Sequence, residues 1–550
     1  MSRDASQHLW HFHGGIHVED HKAVSTGSPI RNAELPGKLV IPVSQHIGAA
    51  ATVLVQVGDK VGKGQEIASA QGYISAPVHA SSSGTVTAIE KRPVPHPSGL
   101  NALCIEITTD GLDEWTSGRP AAIEDFYSLD PQALRVLIRE AGIVGLGGAA
   151  FPSAVKLNPE NQDSISTLVI NGVECEPWIT CDDMLMREQA AKIIQGIKII
   201  QHLVTPEQTL IGIEDNKPEA IAAINQAIRD TTLETCTVVT IPTLYPSGGE
   251  KQLIRILTGK EVPSSGLPMD IGIVCQNVGT AYAIQQAVQE GKPLIERVVT
   301  ITGDGIHQPQ TLRARIGTPI KDLVHMAGGY DESVSRLIIG GPMMGFALDS
   351  DAAPLIKSCN CVLAASEAIV AAPEKALACI RCGECTKVCP AQLLPQQMYW
   401  HARARNFDKV QDYHLFDCIE CGCCAQVCPS HIPLVQYYRF SKNEIWRQER
   451  DKVKSDLARE RHTFREERLE RAAREKAERL AKKKAALKKS AKTNGEDPKK
   501  AAIQAALDRV KAKKTAAPPK NTENLAPQQQ AQIDATEERR ATTQETPKDD

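Results

Sequence analysis

CIRCGECTKVCP (residues 379–390) and CIECGCCAQVCP (residues 418–429) decide how this chain is read. Both follow the pattern C-x2-C-x2-C-x3-C-P. Three thiolates on one tight loop can reach three irons of a cubane, and the fourth cysteine of the run points across to the other cubane. The spacing therefore predicts two [4Fe–4S] clusters. Cys379, Cys382, Cys385 and Cys428 would hold one; Cys389, Cys418, Cys421 and Cys424 would hold the other. A zinc site needs only four ligands, usually in C-x2–4-C pairs, so two four-cysteine runs closed by proline fit it poorly. Cys423 is left over and reads as a packed residue. Cys359 and Cys361 lie outside both runs and receive no role.

The rest of the chain limits its class. At 550 residues there is room for about three or four domains. The hydrophobic share of 42% is ordinary but uneven: residues 35–440 are apolar-patterned, whereas Lys, Arg, Glu, Ala and Gln dominate from about residue 443. A net charge of −3 and an aromatic share of 4% argue against nucleic-acid binding and against base-stacking surfaces. Of sixteen cysteines, eleven fall between Cys359 and Cys428. That clustering in a long chain favours metal ligation in a reducing compartment over a disulfide framework. The opening MSRDASQHLWHFHGG has no apolar h-region, and no apolar run approaches the ~18 residues of a membrane span. A soluble or peripheral chain without a signal peptide is expected.

Ahead of the cysteine runs, hydrophobic periodicity changes along the chain. Residues 1–34 are irregular and His-rich; they read as an extended arm packing on a neighbouring domain, with a metal site on the clustered histidines as the rival reading. Between 38 and 108, apolar and polar residues alternate around Gly-rich turns, the pattern of short strands. From 125 to 300, helical and strand patterns alternate, which argues for an α/β domain with a largely parallel sheet. Residues 298–345 suggest a small α+β unit. Beyond 443 the sequence forms Glu/Lys and Glu/Arg pairs at helical spacing with no sustained apolar seam. Past Lys514, core-forming residues give way to Pro, Gln, Thr and Asp, the composition of a disordered end.

A wire of clusters needs an electron source, and GLGGAAFPSAVK (residues 145–156) is the first candidate. Glycines let the backbone approach a phosphate, and Lys156 adds a point charge. The loop is not the G-x-G-x-x-G fingerprint. NGVECEP (171–177) places polar residues at a strand end, where α/β sheets bind ligands. YPSGGEK (245–251) is a second Gly loop entering a helix, and CQNVGT (275–280) spans a strand-to-helix switch.

These segments carry a resemblance. The loop at 145–156, followed in order by the Asn-x-x-Glu-x-Glu-Pro, Gly-Gly-Glu and Asn-Val-x-Thr segments, resembles the NADH-binding flavoprotein subunit of respiratory complex I. VQVGDKVGKGQEIA and APVHASSSGTV in front resemble a biotinyl/lipoyl-type β-sandwich, although AQGYISAP (70–77) lacks the lysine that carriers of that type modify. Residues 298–345 resemble a β-grasp module of the SLBB type. The long helical stretch between the cysteine runs resembles a helical ferredoxin. Over residues 10–440 the arrangement is similar to the RnfC family of the Rnf (Rsx) electron-transport complexes.

The resemblance implies a multidomain α/β chain: an arm (1–34), a lipoyl-like β-sandwich (35–115), a Rossmann-like FMN/NADH domain (116–297), the β-grasp module (298–365), the two-cluster ferredoxin domain (366–442), a charged helix (443–514) and a disordered tail (515–550). It implies FMN on Gly145, Gly147, Gly148 and Lys156, with Asn171, Glu174, Gly248, Gly249, Glu250 and Asn277 nearby. NADH would stack against Phe151, and Glu176 would shape that site. The loop departs from the complex I pattern at Ala150, where a glycine is usual, and the extra methyl would stand beside a ligand. The implied function is a translocase/oxidoreductase subunit, peripheral on the cytoplasmic side of the bacterial inner membrane. Its expected partners are integral membrane and redox subunits of the same complex and a ferredoxin-type carrier, with no nucleic acid. A soluble diaphorase subunit of a hydrogenase or formate dehydrogenase, and a scaffold without nucleotide binding, are the alternatives. The charged helix could also dock on anionic lipid or on an acidic partner.

Overall fold

In a computed structural model of the chain, residues 8–158, 165–231, 233–371, 374–491, 498–515 and 536 are described. After an arm containing a short strand, Arg31–Asn32 (β1), the alternating region folds as two small sheets. Lys38–Pro42 (β2) and Gly84–Arg92 (β3) flank Ala102–Thr109 (β4) in antiparallel register. Because side chains alternate across a strand, Leu39, Ile41, Val86, Ile105 and Ile107 all fall inside, where they meet Ile67 and Val78 of the second sheet.

The α/β region starts at Pro131–Glu140 (α1), whose first turn is held by the Asp130 carboxylate accepting from Gln132 N at 2.7 Å. Four strands follow: Thr167–Asn171 (β5), Gln208–Glu214 (β6), Cys236–Ile241 (β7) and Ile273–Asn277 (β8). They pair in the order β7-β6-β5-β8, all parallel. Helices Cys181–Val204 (α2), Pro218–Asp230 (α3), Glu250–Thr258 (α4) and Val278–Glu290 (α5) connect them or lie across them. The strands read as apolar runs because helices cover both faces. At Gly196 of α2 a Cβ would collide with the backbone of Ala281 in α5, so this glycine sets how closely the two helices approach.

Glu296–Thr302 (β9), Gln310–Arg315 (β10), the helix Ile320–Met326 (α6), Arg336–Ile339 (β11) and Cys361–Ala365 (β12) form the next layer. Its sheet runs β1-β10-β9-β12-β11 and ends on Phe346–Ala347. The arm expected at residues 1–34 contributes β1, a parallel edge strand of this sheet that pairs Arg31 with Leu312. A two-residue strand has too little periodicity to be legible. Cys361 sits on the buried strand β12 in a core shared with Trp178 and Leu363, and Cys359 lies in the neighbouring core around Val362 and Ala364, so both are packing residues.

Pro395–Arg403 (α7) and Leu434–Ala491 (α8) frame the cysteine runs. The expected helix at 443–514 is corrected: α8 begins nine residues earlier and is followed by a separate helix, Pro498–Thr515 (α9). The start moves because Leu434, Val435, Tyr438 and Ile445 form an apolar stripe buried in the core around the cysteines. The fold divides into two units, residues 1–446 and 447–550, and the described residues of the second are almost all charged helix with exposed side chains. The disordered tail expected at 515–550 lies, apart from residues 515 and 536, outside the described residues. Among the described residues, no helix is long and apolar enough to cross a membrane.

Candidate functional site

The chain runs through β5, β6 and β7 in one direction and then returns to place β8 on the other side of β5. Loops leaving β5 and β8 must diverge there, and the gap at the carboxyl ends of such strands is where open α/β sheets bind ligands. Asn171 and Asn277 end those two strands and face each other in register. Asn277 Oδ1 accepts from Gly279 N at 2.8 Å and Thr280 N at 3.3 Å, capping α5. Asn171 Nδ2 donates to Gly248 O at 2.9 Å, which brings the second glycine loop to the same mouth.

The first glycine loop closes on itself through Gly145 N to Phe151 O, 2.8 Å, and Ala150 N to Gly145 O, 3.1 Å. Leu146 N donates to Thr280 Oγ1 at 2.9 Å and ties the loop to α5. Gly147 and Gly148 are exposed, and Gly147 lies against Asn277. Gly148 has φ +109°, and a Cβ there would meet nothing within 4 Å, so its backbone opens onto free space. Gly249 starts α4 without a side-chain cap, leaving amides of that turn available to an anion. Lys156 Nζ lies 2.6 Å from Glu250 Oε1. Burial alone would lower its pKa, but the Glu250 carboxylate holds it above the usual lysine range. Gly145, Gly147, Gly148, Lys156, Asn171, Gly248, Gly249, Glu250 and Asn277 thus gather at one mouth, with Phe151 partly buried at the loop's end. Open glycine backbone, an uncapped helix start and a lysine fit a phosphate-bearing flavin.

Two implied residues have other contacts. Glu174, at φ +49°, accepts from Asp182 N at 2.7 Å and Asp183 N at 3.2 Å, so its carboxylate caps α2. The Glu176 carboxylate accepts from Met343 N at 2.7 Å and Met344 N at 3.0 Å, clamping the β-grasp layer onto the α/β domain. Burial pushes its pKa up. The methyl expected beside a ligand at Ala150 is corrected: Ala150 is 4% exposed and belongs to the main apolar core.

The cysteines line two cavities. Cys379, Cys382, Cys385 and Cys428 surround one; Cys389, Cys418, Cys421 and Cys424 surround the other. The two runs repeat the same backbone: Arg381 and Glu420 both have φ +59°, Gly383 and Gly422 have +82° and +83°, and Gln392 and His431 have +53° and +50°. Such left-handed residues wrap a short chain around a centre. Burial pushes Cys418 up to about 11 and raises Cys389 and Cys385. A hydrogen bond with Cys423 instead lowers Cys421. Four sulfurs converging on each cavity are a ready ligand set for an iron cluster, so the donor sets fit [4Fe–4S] clusters.

The two cavities differ in depth. Cys382 is exposed and Ile380 is 68% exposed, whereas Cys389, Cys421 and Cys424 are buried. The Tyr245 hydroxyl donates to Cys421 O at 2.8 Å, and Tyr245 packs in one apolar cluster with Cys421, Cys423, Cys175 and Met343. His13 Nδ1 lies 3.0 Å from Cys389 O, and Gly15 N donates to Val388 O at 3.0 Å. The arm thus reaches the cysteine domain as well as the α/β domain and the sheet that β1 joins. Tyr245 opens a glycine loop and His13 lies in the histidine-rich arm, but nothing in the sequence links either to the cysteine runs, since the contacts are to backbone carbonyls of residues far along the chain.

A flavoprotein-type α/β domain joined to a two-cluster cysteine domain defines an electron-carrying class. Models for the RnfC barrel sandwich hybrid domain (residues 10–111), the Nuo51 FMN-binding domain (138–286), the SLBB domain (298–347) and the 4Fe-4S dicluster domain (378–432) match the chain in that order. It is 48% identical over 505 residues to the C component of the ion-translocating oxidoreductase complex of Serratia proteamaculans, covering 92% of this chain and 70% of that one. The counterpart from Pseudomonas aeruginosa is 50% identical over 460 residues, covering 84% and 59%. The chain belongs to the family of RnfC-type components of ion-translocating oxidoreductase complexes. It spans about six-tenths of the length of the first such relatives. An NAD+-reducing [NiFe]-hydrogenase in the H2-reduced state aligns at a TM-score of 0.42 and 18% identity, over 56% of this chain and 61% of that one. That likeness is too slight to carry an argument.

Proposed function

We propose that this chain is a peripheral electron-transfer subunit of a membrane-bound, ion-translocating oxidoreductase, taking electrons from NADH and passing them singly to partner subunits. The observation that carries the reading is the lining of the two cysteine cavities, each by three cysteines of one run and the fourth of the other, beside a glycine-lined switch-point crevice. When bound, FMN supplies the exchange between a two-electron donor and one-electron acceptors, and [4Fe–4S] clusters supply the one-electron steps.

Gly145, Gly147, Gly148, Gly249 and Lys156 hold the flavin phosphate in this reading, and Asn171, Gly248, Glu250 and Asn277 fix the walls. Phe151 lines the dinucleotide side. Glu174 and Glu176 act through the backbone they hold. Cys389, Cys418, Cys421 and Cys424 ligate the inner cluster behind Tyr245; Cys379, Cys382, Cys385 and Cys428 ligate the outer one. The exposed Cys382 and Ile380 make the outer cluster the exit toward other redox and membrane subunits, or toward a ferredoxin-type carrier. The domain boundaries expected from the sequence between residues 35 and 442, with the cytoplasmic face of the inner membrane as location, complete the proposal.

The purified full chain, reconstituted with iron, sulfide and FMN, tests it. Flavin should co-purify at one per chain and NADH should bleach its visible spectrum. Absence of both would sink the NADH reading and leave a scaffold. Release from isolated membranes by high salt is the expected fractionation; recovery only in the soluble fraction would favour a diaphorase.

A further inference from the structure

A second cavity lies behind the crevice, between α2, α5 and the strands β9 and β10. It measures about 420 Å³ counting the solvent at its mouth. Asp182, Tyr282, Gln286, Glu296, Arg297 and Arg313 give it polar walls. Asp182 links this cavity to the crevice through one hydrogen bond. It lines this cavity, and its Oδ2 accepts from Nδ2 of Asn277, the residue at the crevice, at 2.6 Å. The Glu174 carboxylate and the Cys181 thiol lie within 4.8 Å of it.

We propose that Asp182 is a proton relay, accepting the proton left in the crevice by hydride oxidation and releasing it to solvent through this second cavity. The inference rests on the crevice being a hydride-accepting site. A hydride is one proton with two electrons. The dinucleotide C–H bond breaks; FMN and the clusters, when bound, would take its two electrons, and its proton is left in the crevice. An O–H bond forms on the Asp182 carboxylate and then breaks to give hydronium in the cavity. If electrons run the other way, the same atoms carry the proton inward.

Asp182 suits this better than its neighbours. Both oxygens of Glu174 are fixed by the backbone amides of α2. Burial pushes the Cys181 thiol well above the usual range. Burial and the nearby Glu174 carboxylate raise Asp182 to about 7, against the downward pull of Asn277, Arg297 and Lys217. Arg297 is 4% exposed, and its Nε has no partner among the described residues, so a polar donor remains at the cavity wall. Glu296 is tied to Lys292, Arg313 and Arg315 and serves as a charged rim.

Stopped-flow proton release, followed by a pH indicator, tests the relay in the reconstituted full chain with NADH as donor and ferricyanide as acceptor. The D182N variant should release its proton roughly tenfold more slowly or worse and lose the dependence of that rate between about pH 6 and 8. The A283M variant, which narrows the cavity without touching the crevice, should slow release while flavin content and NADH bleaching stay intact. Should D182N fail to bind flavin, A283M decides. Unchanged proton release in a bleachable A283M chain, or a pH dependence retained in D182N, overturns the relay alone. A wild-type chain that binds flavin but is never bleached by NADH overturns the functional reading and the relay with it.

Discussion

Cys389 and Ala150 show how much a single position can decide. Cys389 follows the first run in sequence but lines the cavity of the second. C389A should therefore cost the cluster held by Cys418, Cys421 and Cys424. Iron should fall by about half, the share of one cubane in two. The outer cluster's EPR signal should persist, and its loss instead would mean that each run ligates its own cluster. Ala150 sits at φ +49°, where a Cβ costs about 1–2 kcal/mol. Its methyl is buried in the core, worth about 0.8 kcal/mol per carbon. These terms nearly cancel, so A150G should move the melting midpoint by only a few degrees and leave flavin content unchanged. Loss of flavin would place the methyl's role at the mouth after all.

Among the elements, the helix pair α2 and α5 carries the crevice, because Asp182 lies in the first turn of one and Asn277 caps the other. Their spacing depends on Gly196. A G196A change gains about 1 kcal/mol of helix propensity, yet its Cβ would meet the Ala281 backbone, which cannot rotate aside. Overpacking of that kind costs about 1–3 kcal/mol. The clash should win: G196A should melt earlier and bind flavin less tightly, as read by thermal denaturation and flavin fluorescence. The helices' existence was legible from periodicity. Their contact was not, since one glycine inside a helix carries no label of what it faces.

On the scale of the first unit, Lys357 joins three parts of the fold. Its Nζ donates to Pro77 O of the β-sandwich and Gly142 O of the α/β domain, both at 2.8 Å, from a fully buried position in the β-grasp layer. Burial lowers its pKa to about 7, and a neutral amine still has two N–H groups for the two carbonyls. The unfolded chain keeps a lysine near its ordinary ~10.4, so it binds more protons than the folded one between the two values. Stability should therefore rise as pH increases from about 7 toward 10 and level off below 7, by an amount on the order of a few kcal/mol. K357M should flatten that dependence in denaturant titrations across the range; an equally steep slope in the variant would remove Lys357 from the account.

The sequence by itself determined the two cysteine runs, the glycine loops and the alternation of strand and helix, because ligation spacing, backbone freedom and hydrophobic period are local properties. It also carried the crosswise grouping of cysteines as an expectation. What only the tertiary structure decided was adjacency: that Asn171 meets Asn277, that Glu174 and Glu176 hold backbone, that Tyr245 reaches Cys421, and that Asp182 lines a cavity behind Asn277. Except for Glu174, which holds amides eight and nine residues on, these contacts join residues far apart in the chain. The meeting of Asn171 with Asn277 depends on which side of β5 the strand β8 returns to, and no local preference of the chain fixes that choice.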